Sequence, residues 1–339
     1  MKKKMSIAIV GASGVVGETF AEILQQRHFP VKKLYPLASE RSAGEVVQFE
    51  GRSHRIKNLA EFDFSKVDLA FFSAGSDVSA EYVPKAAEAG CIVIDNSSKF
   101  RYEPDIPLVV PEVNSHALVH YRNRNIIANP NCSTIQMVVA LKPIYDKVGI
   151  RRINVATYQS VSGAGRKAVE ELAKQTTHLL NGQPIACEAF PQQIAFNLLP
   201  QIDTFQENGY TKEEMKIVWE TKKIFEDDCI EVNPTAVRVP VFFSHSEAIS
   251  IETEQPITVA EVTDLLSRAP GITVFTDNKY PTPIACTSKD NVFVGRIRQD
   301  LTNPCGINLW VVADNVRKGA ALNGVQIAEL LLEQNFELH

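Results

Sequence analysis

Short uninterrupted apolar runs dominate the first third of the chain. Residues 6–10 (Ser-Ile-Ala-Ile-Val), 67–73, 91–95, 108–113 and 125–128 have the composition of strands covered on both faces. Between them, the stretch leading to Gln26 and residues 78–89 carry apolar side chains at helical spacing. This alternation predicts an α/β region built on a doubly wound parallel sheet. Beyond residue 132 the pattern changes. Residues 133–148 and 166–180 read as helices, 152–158 as a strand, 248–254 as an alternating, half-buried strand, and 318–334 as an amphipathic final helix.

Glycines punctuate the first βα junction. Gly11-Ala12-Ser13-Gly14-Val15-Val16-Gly17 follows the opening strand directly and leads into a helix, so backbone N–H groups at the helix start are offered to a pyrophosphate. A glycine string of this kind is weak evidence by itself and gains weight from its position after a strand. The second strand ends Leu37-Ala38-Ser39-Glu40-Arg41-Ser42. Arg41 with the hydroxyls of Ser39 and Ser42 suits a 2'-phosphate and favours NADP, while Glu40 leaves NAD open. An ordinary solvated turn is the bland alternative.

A chain of 339 residues has room for two domains with sizeable cores. At 45% hydrophobic and 22% charged it has the composition of a globular protein, and its apolar runs are too short to span a bilayer. Met1-Lys2-Lys3-Lys4 is basic but is not followed by an apolar core and cleavage site, so export is not expected and a cytoplasmic location is. The net charge of -5, without a basic stripe, argues against nucleic acid as a partner. Six cysteines are spread singly, with no C-x-x-C pair and no histidine at zinc-finger spacing, so neither a metal site nor a disulfide framework is expected.

One of those cysteines sits where chemistry is favoured. Cys132, in Asn129-Pro130-Asn131-Cys132-Ser133-Thr134, falls at the start of the 133–148 helix, whose N–H groups favour a thiolate; a small buried hydrophobe is the competing reading. Gln159 closes the 152–158 strand where it opens into Ser160-Val161-Ser162-Gly163-Ala164-Gly165, a turn that permits close backbone approach. From there an amide can orient a carbonyl or a nucleophile, or simply cap. Arg238 and His245 lie seven positions apart, on opposite faces of a straight strand, so the chain must bend near Ser244-His245-Ser246 if they are to share a site. His245 is a candidate acid/base, although a structural histidine is the commoner outcome.

In their order along the chain, the glycine turn, Asn131-Cys132-Ser133-Thr134, Gln159 to Gly165 and Arg238-Val239-Pro240 to His245-Ser246-Glu247 resemble the aspartate-semialdehyde dehydrogenases. Ser97-Ser98-Lys99-Phe100-Arg101, Glu213-Glu214-Met215-Lys216, Asp227-Asp228 and Asp314-Asn315 leading to Lys318-Gly319-Ala320-Ala321 extend the resemblance over essentially the whole chain. Lys99 departs from it, standing where a small residue is expected.

The resemblance implies reversible, NADPH-dependent reductive dephosphorylation of L-4-aspartyl phosphate to L-aspartate 4-semialdehyde and inorganic phosphate, in lysine, threonine and methionine biosynthesis. It implies Cys132 as nucleophile, His245 as acid/base and Gln159 as a substrate-orienting group. Arg238 would take the substrate carboxylate and Glu213 its ammonium, with Arg101 and Lys216 on phosphate. Glu213 and Lys216 are equally a solvated i,i+3 pair by spacing alone. At the cofactor, Gly11, Ser13, Gly14, Val15, Val16 and Gly17 would surround the pyrophosphate, and Ser39, Arg41 and Ser42 the 2'-phosphate. Ala74 and Gly75 would line the nucleotide path, and Ser162, Gly163 and Asn315 would approach the nicotinamide. The implied organisation is a Rossmann-type dinucleotide-binding domain, residues 1–132 completed by 315–339, and an α+β substrate and dimerisation domain, 133–314, in a homodimer. N-acetyl-gamma-glutamyl-phosphate reductase, glyceraldehyde-3-phosphate dehydrogenase and an inactive nucleotide-binding relative are the alternatives.

Overall fold

The computed structural model describes residues 4–333. By contacts the chain divides into one unit drawn from Met1–Asn131 with Ala320–His339 and a second, continuous unit, Cys132–Gly319. The cuts leave Cys132 and residues 315–319 with the second unit.

The first unit runs β1 (Met5–Val10), α1 (Val15–Gln26), β2 (Val31–Ala38), the hairpin β3 (Val46–Phe49) and β4 (Arg52–Arg55), β5 (Lys57–Asn58), β6 (Leu69–Phe72), α2 (Ser76–Glu88), β7 (Ile92–Asp95), α3 (Pro111–Asn114) and β8 (Ile126–Ala128). Six of these strands form one parallel sheet in the order β5-β2-β1-β6-β7-β8. The order reverses between β1 and β6, and the crevice at the carboxyl ends of such a pair is where open α/β sheets bind ligands. Burial explains the continuous apolar runs: Ile7, Ile9, Leu69 and Phe71 have no exposed surface.

One expected strand is absent. Residues 108–113 contribute only a single parallel bridge, Leu108 to Ala128. Asn114 then draws the chain out of line, accepting from the Val110 N–H at 2.8 Å and donating to the Leu108 carbonyl at 2.9 Å. Pro111, which lacks an N–H for a ladder, starts α3 instead.

The second unit runs α4 (Cys132–Val148), β9 (Ile150–Gln159), α5 (Arg166–Leu180), α6 (Lys212–Phe225), β10 (Glu231–Arg238), β11 (His245–Thr253), α7 (Val259–Arg268), β12 (Ile272–Val274), α8 (Pro283–Cys286), β13 (Val292–Gln299) and β14 (Gly306–Ala313). Its six strands make one mixed sheet, ordered β10-β9-β11-β14-β13-β12. Alternate residues of β9 and β11 are buried, and α4 packs on the sheet through both strands. Arg238 and His245 therefore end and begin separate strands on either side of β9, joined through a bend at Ser244, whose φ is 71°.

The chain then returns to the first unit as α9 (Leu322–Glu333). A π-helical turn, Arg317–Ala321, precedes it, so regular helix begins at Leu322 and not at 318; position 334 lies outside the described residues. Asp314 causes this start by accepting the Val316 and Arg317 N–H groups on its carboxylate and that of Gly319 on its carbonyl. Within the first unit α9 is tied at several points. Asn323 donates to the Val109 carbonyl at 3.0 Å and to Asn129 at 2.7 Å, Arg27 pairs with Glu329 at 2.7 Å, and Gly324 lies so close to Phe20 that a Cβ would come within 2.9 Å of its ring.

Candidate active site

Cys132 is the first residue of α4 and is partly exposed. Its side chain lies against Gly319, where an added Cβ would stand 2.9 Å from that of Cys132. A helix start presents N–H groups to an anion, and the position meets that requirement for a thiolate.

Gln159 and Arg238 are register partners at the ends of parallel β9 and β10. Both are buried. Gln159 donates to Glu213 at 3.2 Å, and Glu213 accepts in turn from Lys216 at 3.0 Å. Lys216 also pairs with Asp203 at 3.0 Å. Burial opposes the charge on Lys216, but Glu213 and Asp203 outweigh it and hold its pKa above the usual value. The i,i+3 pair of α6 is therefore part of a buried chain of polar groups and not a solvated ornament. The N-cap Thr211 and Glu214 fix the start of α6 by a capping box, which aims Glu213 toward the sheet.

The guanidinium of Arg238 donates to the Ser160 carbonyl at 2.8 Å and lies 6.0 Å from the ring centre of Phe190. Burial lowers its pKa, and both Glu213 and Cys132 oppose that effect, so the thiol lies within electrostatic reach of the guanidinium. His245 is fully buried. Burial, with Arg238 adding to it and Glu213 opposing it, brings its pKa down to about 3. Gly163 lies against both side chains: a Cβ there would stand 3.0 Å from Arg238 Nη1 and 3.2 Å from His245 Cε1 and Nε2.

Asn315 gathers the surrounding turns. Its Oδ1 accepts from Ser160 Oγ, Ser162 Oγ and the Ser244 N–H at 2.9–3.2 Å. Two residues beyond His245 on β11, Glu247 is also fully buried, and neither carboxyl oxygen makes a hydrogen bond of ordinary length. Burial pushes its pKa well up, opposed by Gln136 of α4. Sequence reasoning did not single out Ser160, Phe190, Asp203 or Glu247. Ser160 and Glu247 stood inside motifs already noticed, whereas Phe190 and Asp203 lie in irregular chain that carries no periodic signal.

In the first unit, α1 starts at the switch point, with Gly14 as its N-cap and Val15 and Val16 in its first turn. A Cβ at Gly11 would come 2.8 Å from the Ser73 carbonyl oxygen, and one at Gly17 would overlap the Gly11 carbonyl. Ala74 and Gly75 follow β6 across this junction, and Gly75 caps α2. Ser13 and Ser42 hydroxyls are 3.3 Å apart, bringing the glycine turn to the end of β2. Ser39, Glu40 and Arg41 are exposed beside them. Arg101, buried in the loop after β7, donates to the Asn96 carbonyl at 2.8 Å. Lys99 faces solvent. No helix among the described residues is long and apolar enough to cross a membrane.

A nucleotide-type sheet joined to a unit that carries a helix-start cysteine, a buried histidine and a buried arginine defines a class of dehydrogenase. The semialdehyde dehydrogenase NAD-binding domain model matches residues 6–121, and the semialdehyde dehydrogenase dimerisation domain model matches 141–318. The aspartate-semialdehyde dehydrogenase of Legionella pneumophila is 63% identical over 98% of this chain and 96% of its own length. The crystal structure of Vibrio cholerae aspartate semialdehyde dehydrogenase II complexed with ASA superposes with a TM-score of 0.98 at 60% identity, covering 98% of this chain and 100% of that one. The Candida albicans enzyme, solved with NADP, gives a TM-score of 0.77 at 26% identity over 98% and 99% of the two chains. The chain belongs to the aspartate-semialdehyde dehydrogenase family.

Proposed function

We propose that this chain interconverts L-4-aspartyl phosphate and L-aspartate 4-semialdehyde with inorganic phosphate, using NADPH and NADP. The buried pairing of Gln159, Glu213 and Lys216 beside Arg238 carries the reading: a free amino acid presents a carboxylate and an ammonium, and this wall offers one charge for each. Glu213 has no use for an acetylated amine, which disfavours an N-acetyl-glutamyl substrate.

Cys132 is the nucleophile, giving a thiohemiacetal from the aldehyde or a thioester from the acyl phosphate. Gln159 holds the substrate in register, Arg238 its carboxylate, Lys216 and Arg101 the phosphate, and His245 serves the reacting carbonyl. When bound, the nicotinamide supplies or accepts the hydride. The residues at the β1–β6 switch point fit a dinucleotide: Gly11 and Gly17 let the turn pack against the Ser73 carbonyl and against itself, where no side chain fits, which seats the start of α1 at the switch point for a pyrophosphate, and exposed Arg41 beside the Ser13–Ser42 pair suits a 2'-phosphate. Ser162, Gly163 and Asn315 line the nicotinamide end. The dinucleotide unit is the one drawn from residues 1–131 with 320–339, and 132–319 is the substrate and dimerisation unit of a cytoplasmic homodimer.

NADPH formation from L-aspartate 4-semialdehyde and NADP, with and without phosphate, tests the reading. Phosphate-dependent turnover with this aldehyde and not with N-acetyl-glutamate semialdehyde is expected; the reverse preference would refute it.

A further inference from the structure

Glu247 of β11 and Gln136 of α4 are both buried, and each hides both polar atoms of its side chain without a hydrogen-bond partner of ordinary geometry. They are neighbours, because Gln136 is close enough to favour the charged form of Glu247. Glu247 is a polar interruption in the buried stripe of β11, which Ile249 and Ile251 continue. Across the sheet its register partners are Thr157 of β9 and Val311 of β14, neither of which ionises. The titratable neighbour on its own strand is His245, whose charge burial also opposes.

Donors and acceptors decide how the four atoms can meet. An ionised carboxylate only accepts, so the Gln136 amide nitrogen would find an acceptor while the amide carbonyl found no donor. A carboxylic acid adds an O–H. Its hydroxyl can donate to Gln136 Oε1 while its carbonyl accepts from Gln136 Nε2, and two antiparallel hydrogen bonds then use all four atoms. Buried polar atoms are almost always paired, since each one left alone forfeits its bond to water. Burial pushes the Glu247 pKa well up, the direction that this pairing requires.

We propose that Glu247 and Gln136 form a cyclic acid–amide pair, and that this pair holds the start of α4 on β11 and thereby fixes the position of Cys132. This rests on the Cys132 chemistry proposed above. Gln136 follows Cys132 by one helical turn, about 6 Å along the axis, and Glu247 follows His245 by two strand residues, about 7 Å. The pair therefore clamps helix to sheet one step away from the thiol and from the buried histidine. Apolar side chains at the same place could slide past one another, whereas two directed bonds set both the depth and the register of the helix. Glu247 is a positioning residue, acting through the helix and touching neither substrate nor cofactor.

Infrared spectroscopy of the full chain tests the pairing directly. At about pH 7, where an ordinary glutamate is ionised, Glu247→Gln is expected to remove a carboxylic-acid C=O band from the wild-type spectrum. Removal of a carboxylate band overturns the proposal. Kinetics test the positioning, because an amide facing an amide can form the same two bonds and leucine can form neither. Glu247→Gln is expected to stay within about threefold of the wild-type kcat for L-aspartate 4-semialdehyde. Glu247→Leu is expected to lose roughly five- to thirtyfold in kcat with little change in KM, the effect of moving a reacting group by a fraction of an ångström. Exchanging the partners, Gln136→Glu with Glu247→Gln, should return kcat to within about threefold of wild type. A Glu247→Leu protein within about twofold of wild type, a Glu247→Gln loss equal to that of leucine, or an exchanged pair no better than Glu247→Leu would each overturn the proposal. The infrared result needs neither turnover nor the leucine variant. A wild-type protein that shows the acid band but is silent with aldehyde, NADP and phosphate would refute the functional reading separately.

Discussion

Gly163→Ala isolates the geometry of the site from the stability of the fold. Gly163 is exposed on a turn, and its φ lies outside the left-handed region, so the backbone accepts alanine. The added methyl would nevertheless sit 3.0 Å from Arg238 Nη1 and 3.2 Å from two atoms of the His245 ring. Neither neighbour yields easily: Arg238 is held to Ser160 at 2.8 Å and His245 is held by the Ser160 N–H at 3.1 Å. Relief requires a shift of a few tenths of an ångström in one or both. Misplacement of a reacting group by about 1 Å costs about 10²-fold, so a shift of this size should cost roughly five- to thirtyfold, or about 1–2 kcal/mol of transition-state stabilisation. The assay is kcat/KM for L-aspartate 4-semialdehyde at saturating NADP and phosphate, with Tm measured alongside. Tm should stay within about 2 °C of wild type, as for other exposed substitutions. A kcat/KM within about twofold of wild type would refute the contact argument.

Arg41→Ala should raise KM for NADP roughly ten- to a hundredfold, as expected for one lost charge-assisted contact, and leave KM for NAD nearly unchanged. Equal losses with both cofactors would remove Arg41 from the 2'-phosphate. Phe190→Leu keeps an apolar filler in the small core where Phe190 packs, but removes the ring face from Arg238. The aldehyde KM should rise about two- to thirtyfold for a contact of about 0.5–2 kcal/mol, and an unchanged KM would show that the ring does not support the clamp. Glu247 is a buried acid with a raised pKa, so the unfolded chain gives up its proton first as pH rises above about 4.5, and the stability due to burial of the neutral acid is lost with rising pH. Glu247→Gln removes that loss. In urea titrations from about pH 5 to 8 the variant should gain on wild type steadily, and parallel pH dependences would contradict the burial argument.

Periodicity revealed the first unit well because parallel strands buried on both faces are written as apolar runs, and β1, β6 and β7 are such runs. It misread 108–113 for the same reason. Leu108, Val109 and Val110 are as buried as any strand, but a buried apolar run does not encode a ladder when Asn114 and Pro111 redirect its backbone. In the second unit, spacing placed Arg238 and His245 apart and required a bend, and Ser244 provides it. What no spacing conveys is the tertiary pairing of Gln159 with Glu213, 54 positions away, or the arrival of Phe190 and Asp203 from irregular chain. Those meetings depend on the parallel register of β9 with β10 and on the seating of α6 beside them.

The return of α9 to the first unit has a consequence for biosynthesis. Because Asn323 bonds the backbone beside β8 and Gly324 meets Phe20, the first unit lacks the helix that packs on α1, α3 and β7 until the whole second unit has been synthesised. The second unit is continuous and can complete its sheet earlier. Although translated first, the amino-terminal unit is thus the last to be finished. A nonsense codon in place of Ala320 would spare all of the second unit while leaving the surfaces of α1, α3 and β7 that α9 packs on uncovered, and such a truncated product is a substrate for proteolysis and chaperones.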